Sequence, residues 1–217
     1  MLYIISFLFL LPTLAHADFV ASAGAIGGSI ESKEVSASGD PLLRIPTFIG
    51  FKGEAEFGHP YVTLFGAFDI GAGSARTEYN YQNPDFPSDQ AQVSKLKASA
   101  VSSKLSLGLR LKFIKFKTFR MYVGGGINYG LINLTYDKED FTAASGSSIG
   151  FEESERKNLR GGFGQLGMEF IIDSNSGFRL QAQREYLRTD EFETLNNKRL
   201  KFENMIYSLS FMQYIDT

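Results

Sequence analysis

The sequence predicts an all-β fold, a single eight-stranded antiparallel up-and-down β-barrel. Three observations carry that reading. Apolar and polar residues alternate with period two over long stretches. The cleanest is Ser103–Phe113, with Leu105, Leu107, Leu109, Leu111 and Phe113 on one parity and Lys104, Ser106, Gly108, Arg110 and Lys112 on the other. Long and short breaks separate eight such stretches in alternation, and no useful length of chain shows a helical period. A meander with its long connections at one end and its tight ones at the other is the plan of an up-and-down barrel.

Length and composition bound the problem. The 217 residues suit one barrel domain, and there is no Cys and no Trp. A formal net charge of −2 argues against a nucleic-acid partner, which needs a basic surface. Met1–Leu14 is almost wholly apolar, lacks Lys and Arg, and ends at the small-x-small run Ala15-His16-Ala17. It reads as a signal peptide over residues 1–17, leaving a barrel domain over 18–217.

The elements follow in order. Strand one, Phe19–Ile30, is rich in Ala and Gly, and the polar stretch Glu31–Pro41 follows it. Strand two, Leu43–Phe57, sets Ile45, Thr47, Ile49, Phe51 and Ala55 against Lys52, Glu54 and Glu56. Gly58-His59-Pro60 is a tight break, because proline cannot donate to a ladder. Strand three, Tyr61–Gly73, alternates Val62, Leu64, Phe68 and Ile70 with Thr63 and Asp69. The longest break, Ser74–Ser94, precedes strand four, Lys95–Phe113, and the short basic break Ile114–Thr118 follows. Strand five, Phe119–Tyr136, contains Gly124-Gly125-Gly126, a run suited to a sharp bend or a close backbone approach. A polar loop over Asp137–Lys157 leads to strand six, Asn158–Ile172. The turn Asp173–Gly177 leads to strand seven, Phe178–Leu187, and the polar break Arg188–Arg199 to strand eight, Leu200–Tyr214.

Period two leaves one question open, because the oily parity can face lipid or a sealed interior. Four observations favour lipid. Strands four, five and eight exceed the ~9–11 residues needed to cross a bilayer at a tilt. The polar parity carries both signs of charge, at Lys52, Glu54, Glu56, Asp69, Lys104, Arg110, Lys112 and Glu169, which suits a narrow lumen filled by paired side chains. Long loops alternate strictly with short turns. Aromatics such as Phe57, Tyr61, Phe113, Phe119, Phe178 and Tyr214 gather at strand ends, as interfacial girdles do. Two residues fit badly. Phe65 falls on the lumen parity of strand three and Arg184 on the lipid parity of strand seven, through snorkelling or through a bulge.

The signal segment, the eight-strand rhythm, the run Tyr122–Gly130 and the closing strand Met205–Phe211 resemble the small outer-membrane β-barrel superfamily of Gram-negative bacteria. That group includes the outer-membrane protein A barrel, the opacity proteins and the Ail/Lom adhesins. The resemblance spans nearly the whole mature chain, but its motifs are generic, and Met212–Thr217 extend beyond the usual terminal aromatic. It implies four long exterior loops, three short periplasmic turns and residence in the cell outer membrane. It implies lipid and lipopolysaccharide as surroundings, and the barrel-assembly machinery as a partner during insertion. No further domain is expected after strand eight.

The chemistry is sparse. The one His outside the signal segment, His59, falls in a turn and reads as a turn residue rather than a catalyst. No phosphate loop, nucleotide fingerprint or metal-ligand spacing appears, so no catalytic, cofactor or metal site is expected. Glu54 and Glu56 share a parity with Lys52 and read as part of a structural lumen network. Tyr79, Tyr81 and Phe86 form a candidate surface-recognition loop. The expected function is a non-enzymatic outer-membrane barrel acting through its surface loops in interaction, adhesion or envelope structure. A narrow channel for small solutes and a soluble, lipocalin-like exported barrel are the alternatives.

Overall fold

The computed structural model describes residues 18–34, 43–82, 90–136, 154–192 and 198–215. They form β1 (Asp18–Glu34), β2 (Leu43–His59), β3 (Val62–Gln82), β4 (Gln90–Lys115), β5 (Phe119–Tyr136), β6 (Ser154–Ile171), β7 (Ser176–Phe192) and β8 (Lys198–Ile215). Each strand pairs antiparallel with the next and β8 pairs with β1, so the sheet closes into the expected eight-stranded barrel. Short connections at Pro60-Tyr61, 116–118 and 172–175 lie at one end. In the last of these, Asp173 accepts hydrogen bonds from the Asn175 N–H and the Ser176 hydroxyl, both at 2.8 Å. Residues 1–17, including the signal segment, lie outside the described residues.

The oily parity faces outward. Leu105, Leu107, Leu109 and Leu111 are each more than half exposed, whereas Lys104 and Arg110 between them are buried. A soluble barrel with its apolar parity inside is therefore ruled out for this chain. Phe65 does point into the lumen and Arg184 does point outward, with no slip of register beside either.

The outer wall has a regular scale. Phe119, Phe170, Phe178 and Phe211 stand directly opposite one another across β5 to β8. Ten residues up each strand stands a second row, Tyr129, Arg160, Arg188 and Lys201. Thr47 and Ser103 hold the same place above Phe57 and Phe113. Ten residues span ~33 Å of strand, which at a tilt of ~40° is ~25 Å of height, the thickness of an outer-membrane barrel's apolar band.

Several elements depart from the expected bounds. β3 and β4 extend far into the Ser74–Ser94 break, and beyond Ser74 β3 pairs with β4 alone. Tyr79 and Tyr81 accordingly lie in β3, opposite Val93 and Ala91, rather than in a loop, while Phe86 is outside the described residues. Backbone pairing does not require apolar alternation, so hydropathy does not mark this extension. The same reason carries β7 and β8 into the Arg188–Arg199 break. A further correction concerns Ile45, expected with Thr47 and Ile49 on the lipid parity. Ile45 is fully buried, whereas Thr47 and Ile49 are exposed. Gly28 pairs with Phe48 and Ile30 with Ile45, so β2 holds one extra residue at Pro46-Thr47. This is a β-bulge at a proline that could not have donated to the ladder, and it reverses the parity above it.

Close backbone approach accounts for the glycine run in β5, since a Cβ on Gly126 would stand 2.1 Å from the Leu107 carbonyl oxygen. The closing seam is equally tight. A Cβ on Gly24 of β1 would stand 2.0 Å from the Leu209 carbonyl oxygen of β8. We expect Gly24→Ala to destabilise the barrel by about 2–3 kcal/mol, because neither backbone can retreat in a closed sheet. Gly53→Ala, whose Cβ would meet only the Phe51 ring at 3.9 Å, is the control. Urea unfolding of the barrel refolded in vesicles measures both, and equal midpoints would refute the seam argument.

Candidate functional site

The barrel interior has two storeys, each dictated by which residues the lumen parity supplies. The storey near the short turns is ionic. Lys52, Lys104, Arg110, Lys112 and Arg179 face Glu54, Glu56, Asp69, Glu169 and Glu185, five cations against five carboxylates, all buried. Burying one such ion alone would cost several kcal/mol, so the charges come as a closed set.

Arg110 and Glu54 form its centre. The guanidinium grips Glu54 with both terminal nitrogens, Nη1 to Oε1 at 2.5 Å and Nη2 to Oε2 at 2.6 Å. The planar fork matches the carboxylate, as a lysine could not. Nη1 also donates to Glu56 at 2.7 Å. The Phe65 ring lies 4.0 Å and the Tyr122 ring 4.8 Å from the guanidinium carbon. Phe65, an apparent misfit by hydropathy, thus serves the ionic storey as a cation-binding face.

Arg179 binds the other side of Glu54 and donates to Glu56 at 2.5 Å and to Glu169 at 2.6 Å. Lys112 reaches Glu56 at 2.5 Å and Glu169 at 3.4 Å. Lys52 lies 3.5 Å from Glu54. Higher in the lumen, Lys104 binds both oxygens of Glu185 at 2.6 Å and lies 4.0 Å from Asp69. Asn128, Gln183 and Asn204 also donate to Glu185, at 2.9, 2.8 and 2.8 Å. All eight charged residues expected on the lumen parity lie in this storey. Arg179 and Glu185 were missed. Their signal was the parity Arg179-Gln181-Gln183-Glu185, obscured because Arg184 puts a charge of equal prominence on the opposite parity.

The storey toward the long connections is apolar. Ile26, Ile30, Ile45, Phe48, Ile132, Leu134, Leu159, Leu187, Leu200, Phe202 and Ile206 meet there with Ala98 and Ala100, each at most 4% exposed. Sequence reading did not anticipate this plug. The bulge at Pro46-Thr47 delivers Ile45 to it, and Leu187 and Leu200 flank the polar break expected over Arg188–Arg199.

This arrangement can hold strands rigidly together and fill a lumen. His59 is engaged at its turn, where Nδ1 accepts from the Tyr61 N–H at 3.4 Å and the rings lie 5.5 Å apart. Among the described residues, no group of His, Cys, Asp and Glu is arranged to hold a metal ion.

The chain is similar to one protein family and to several solved structures. The family model described as outer membrane protein beta-barrel domain matches residues 4–212. No match is found among curated protein sequences. Among solved structures, the attachment invasion locus protein Ail of Yersinia pestis, in complex with the heparin analogue sucrose octasulfate, is 16% identical. The match covers 90% of this chain and 98% of that one, with a TM-score of 0.43. OprG of Pseudomonas aeruginosa is 12% identical, with 93% and 97% covered and a TM-score of 0.49. The outer membrane protease OmpT of Escherichia coli is 10% identical, with 91% and 97% covered and a TM-score of 0.47.

Proposed function

The chain belongs to the family of outer membrane protein beta-barrel domains, and from that premise we propose a non-enzymatic wall protein of the outer membrane. Residues 1–17 serve its export, the barrel-assembly machinery inserts it, and its exterior connections act in surface interaction or envelope integrity. The observation that supports this reading is the filled lumen. A conduit needs a continuous polar path, and here buried aliphatic side chains cross the lumen above an ionic layer of five cations and five carboxylates. Eight strands leave an interior that side chains can fill. A display wall needs that rigidity, whereas a solute channel is obstructed by it.

Planar-bilayer recording tests the choice. The refolded mature chain should give no stepwise conductance above the lipid background at neutral pH. Reproducible unitary steps from heat-modifiable, folded protein would overturn the reading in favour of a narrow channel.

A further inference from the structure

We infer that the outer wall of β6, β7 and β8 is a binding site for a phosphorylated lipid of the outer leaflet, with Arg160, Arg188 and Lys201 on its phosphates. The inference rests on residence in the outer membrane and adds a defined partner and place to it.

The register supplies the first observation. Arg160 stands directly opposite Arg188, and Arg188 directly opposite Lys201. All three point outward. Like charges directly opposite in a sheet destabilise it, so two such pairs in one row call for an anion. The neighbouring carboxylates only partly supply it. Asp190 lies 3.3 Å from Arg160, and Glu203 lies 3.3 Å from Lys201 and 3.6 Å from Arg184. Arg188, in the centre, has no carboxylate partner among the described residues. Four cations thus share two carboxylates.

Height supplies the second. The row stands ten residues above Phe170, Phe178 and Phe211, at the upper edge of the apolar band, where lipid headgroups begin. On β5 the row continues as Tyr129, opposite Arg160, so the three cations stand side by side on the adjacent strands β6, β7 and β8. Adjacent strands are ~4.8 Å apart, so the row spans ~10 Å, room for a headgroup bearing two phosphates.

The surface below the row supplies the third. Gly125 and Gly164 are paired and both face outward, and a Cβ on Gly164 would meet nothing within 4 Å. Leu166 borders them below and Arg184 stands directly opposite Gly164, so they leave a shallow trough under the cations, flanked on its β7 side by a further cation. A headgroup above and an acyl chain in the trough fit one amphiphile, and a protein partner at this depth would have to displace the bilayer.

The test uses the mature chain refolded into phosphatidylcholine vesicles, with and without diphosphoryl lipid A as a minor component. The temperature at which the folded band disappears in unboiled gels should rise with lipid A for the wild type. Arg160→Gln/Arg188→Gln, relieved of its like-charge pairs, should be at least as stable as the wild type in phosphatidylcholine alone and lose most of the rise, its apparent affinity falling about fivefold per cation removed. Gly164→Ile, which keeps every charge but fills the trough, should also weaken the response. Inorganic phosphate at matched concentration should not reproduce it. An unmoved wild type, a full response from the double variant, or an equal response to free phosphate would each overturn the inference. Absence of a heat-modifiable band in phosphatidylcholine alone would count against the outer-membrane reading instead.

Discussion

Replacing Glu54 by alanine should destabilise the barrel by about 3–5 kcal/mol, the usual loss when one partner is removed from a buried ion pair. Glu54 lies between Arg110 and Arg179, with Lys52 3.5 Å away. Its removal leaves two guanidinium groups facing each other in a dry interior with Glu56 as their shared anion. Urea unfolding in vesicles, followed by the tryptophan-free chain's tyrosine signal or by gel mobility, gives the difference. The companion variant Glu54→Ala/Arg110→Met removes one charge of each sign. It should be less destabilised than the sum of its single changes by at least about 1 kcal/mol, because these residues act as a unit. A loss below about 1 kcal/mol for Glu54→Ala would show that the ionic storey contributes little to holding the strands together.

The second large effect belongs to the opposite face of the sheet. Leu107 is 52% exposed and lies near the middle of the apolar band, six residues above Phe113. Leu107→Arg should cost about 2–4 kcal/mol in a bilayer, the range for arginine on a barrel's lipid face at the midplane. The same change at Ser103, at the band's upper edge, should cost no more than about 1 kcal/mol. Folding titrations in vesicles should therefore separate the two substitutions. Equal effects would mean that the band is not centred where the two rows of the outer wall place it.

Strand alternation was legible because lipid and lumen impose opposite demands on successive residues. β5 was read to its limits, and Ser103–Phe113 was sorted correctly on both faces. The residues that escaped did so for physical reasons. Ile45 changed face through a bulge that depends on pairing with β1, and no local pattern encodes that partner. Arg179 and Glu185 have partners more than a hundred residues away in Glu54 and some eighty away in Lys104, contacts created only by closure. The apolar plug was hidden by the same assumption that found the strands. Treating every polar-parity position as lumen and every oily one as lipid leaves no place for aliphatic side chains inside. The strand pairing beyond Ser74 was missed because hydropathy alternation does not register backbone pairing.

The two rows set ten residues apart on the outer wall also have a mechanical consequence. A hydrogen-bonded sheet closed on itself can neither stretch nor shed a turn, so the height of its oily band is a fixed length. A bilayer, by contrast, is elastic, and mismatch costs fractions of a kcal/mol per Å. Where the bilayer's own thickness differs from that length, it is the membrane that thins or thickens to meet this barrel, and the distortion follows the protein as it diffuses. Barrels with bands of equal height would share that distorted collar at lower cost than they would bear it separately. Thickness alone would then bias which proteins come to neighbour this one, without any direct contact between them.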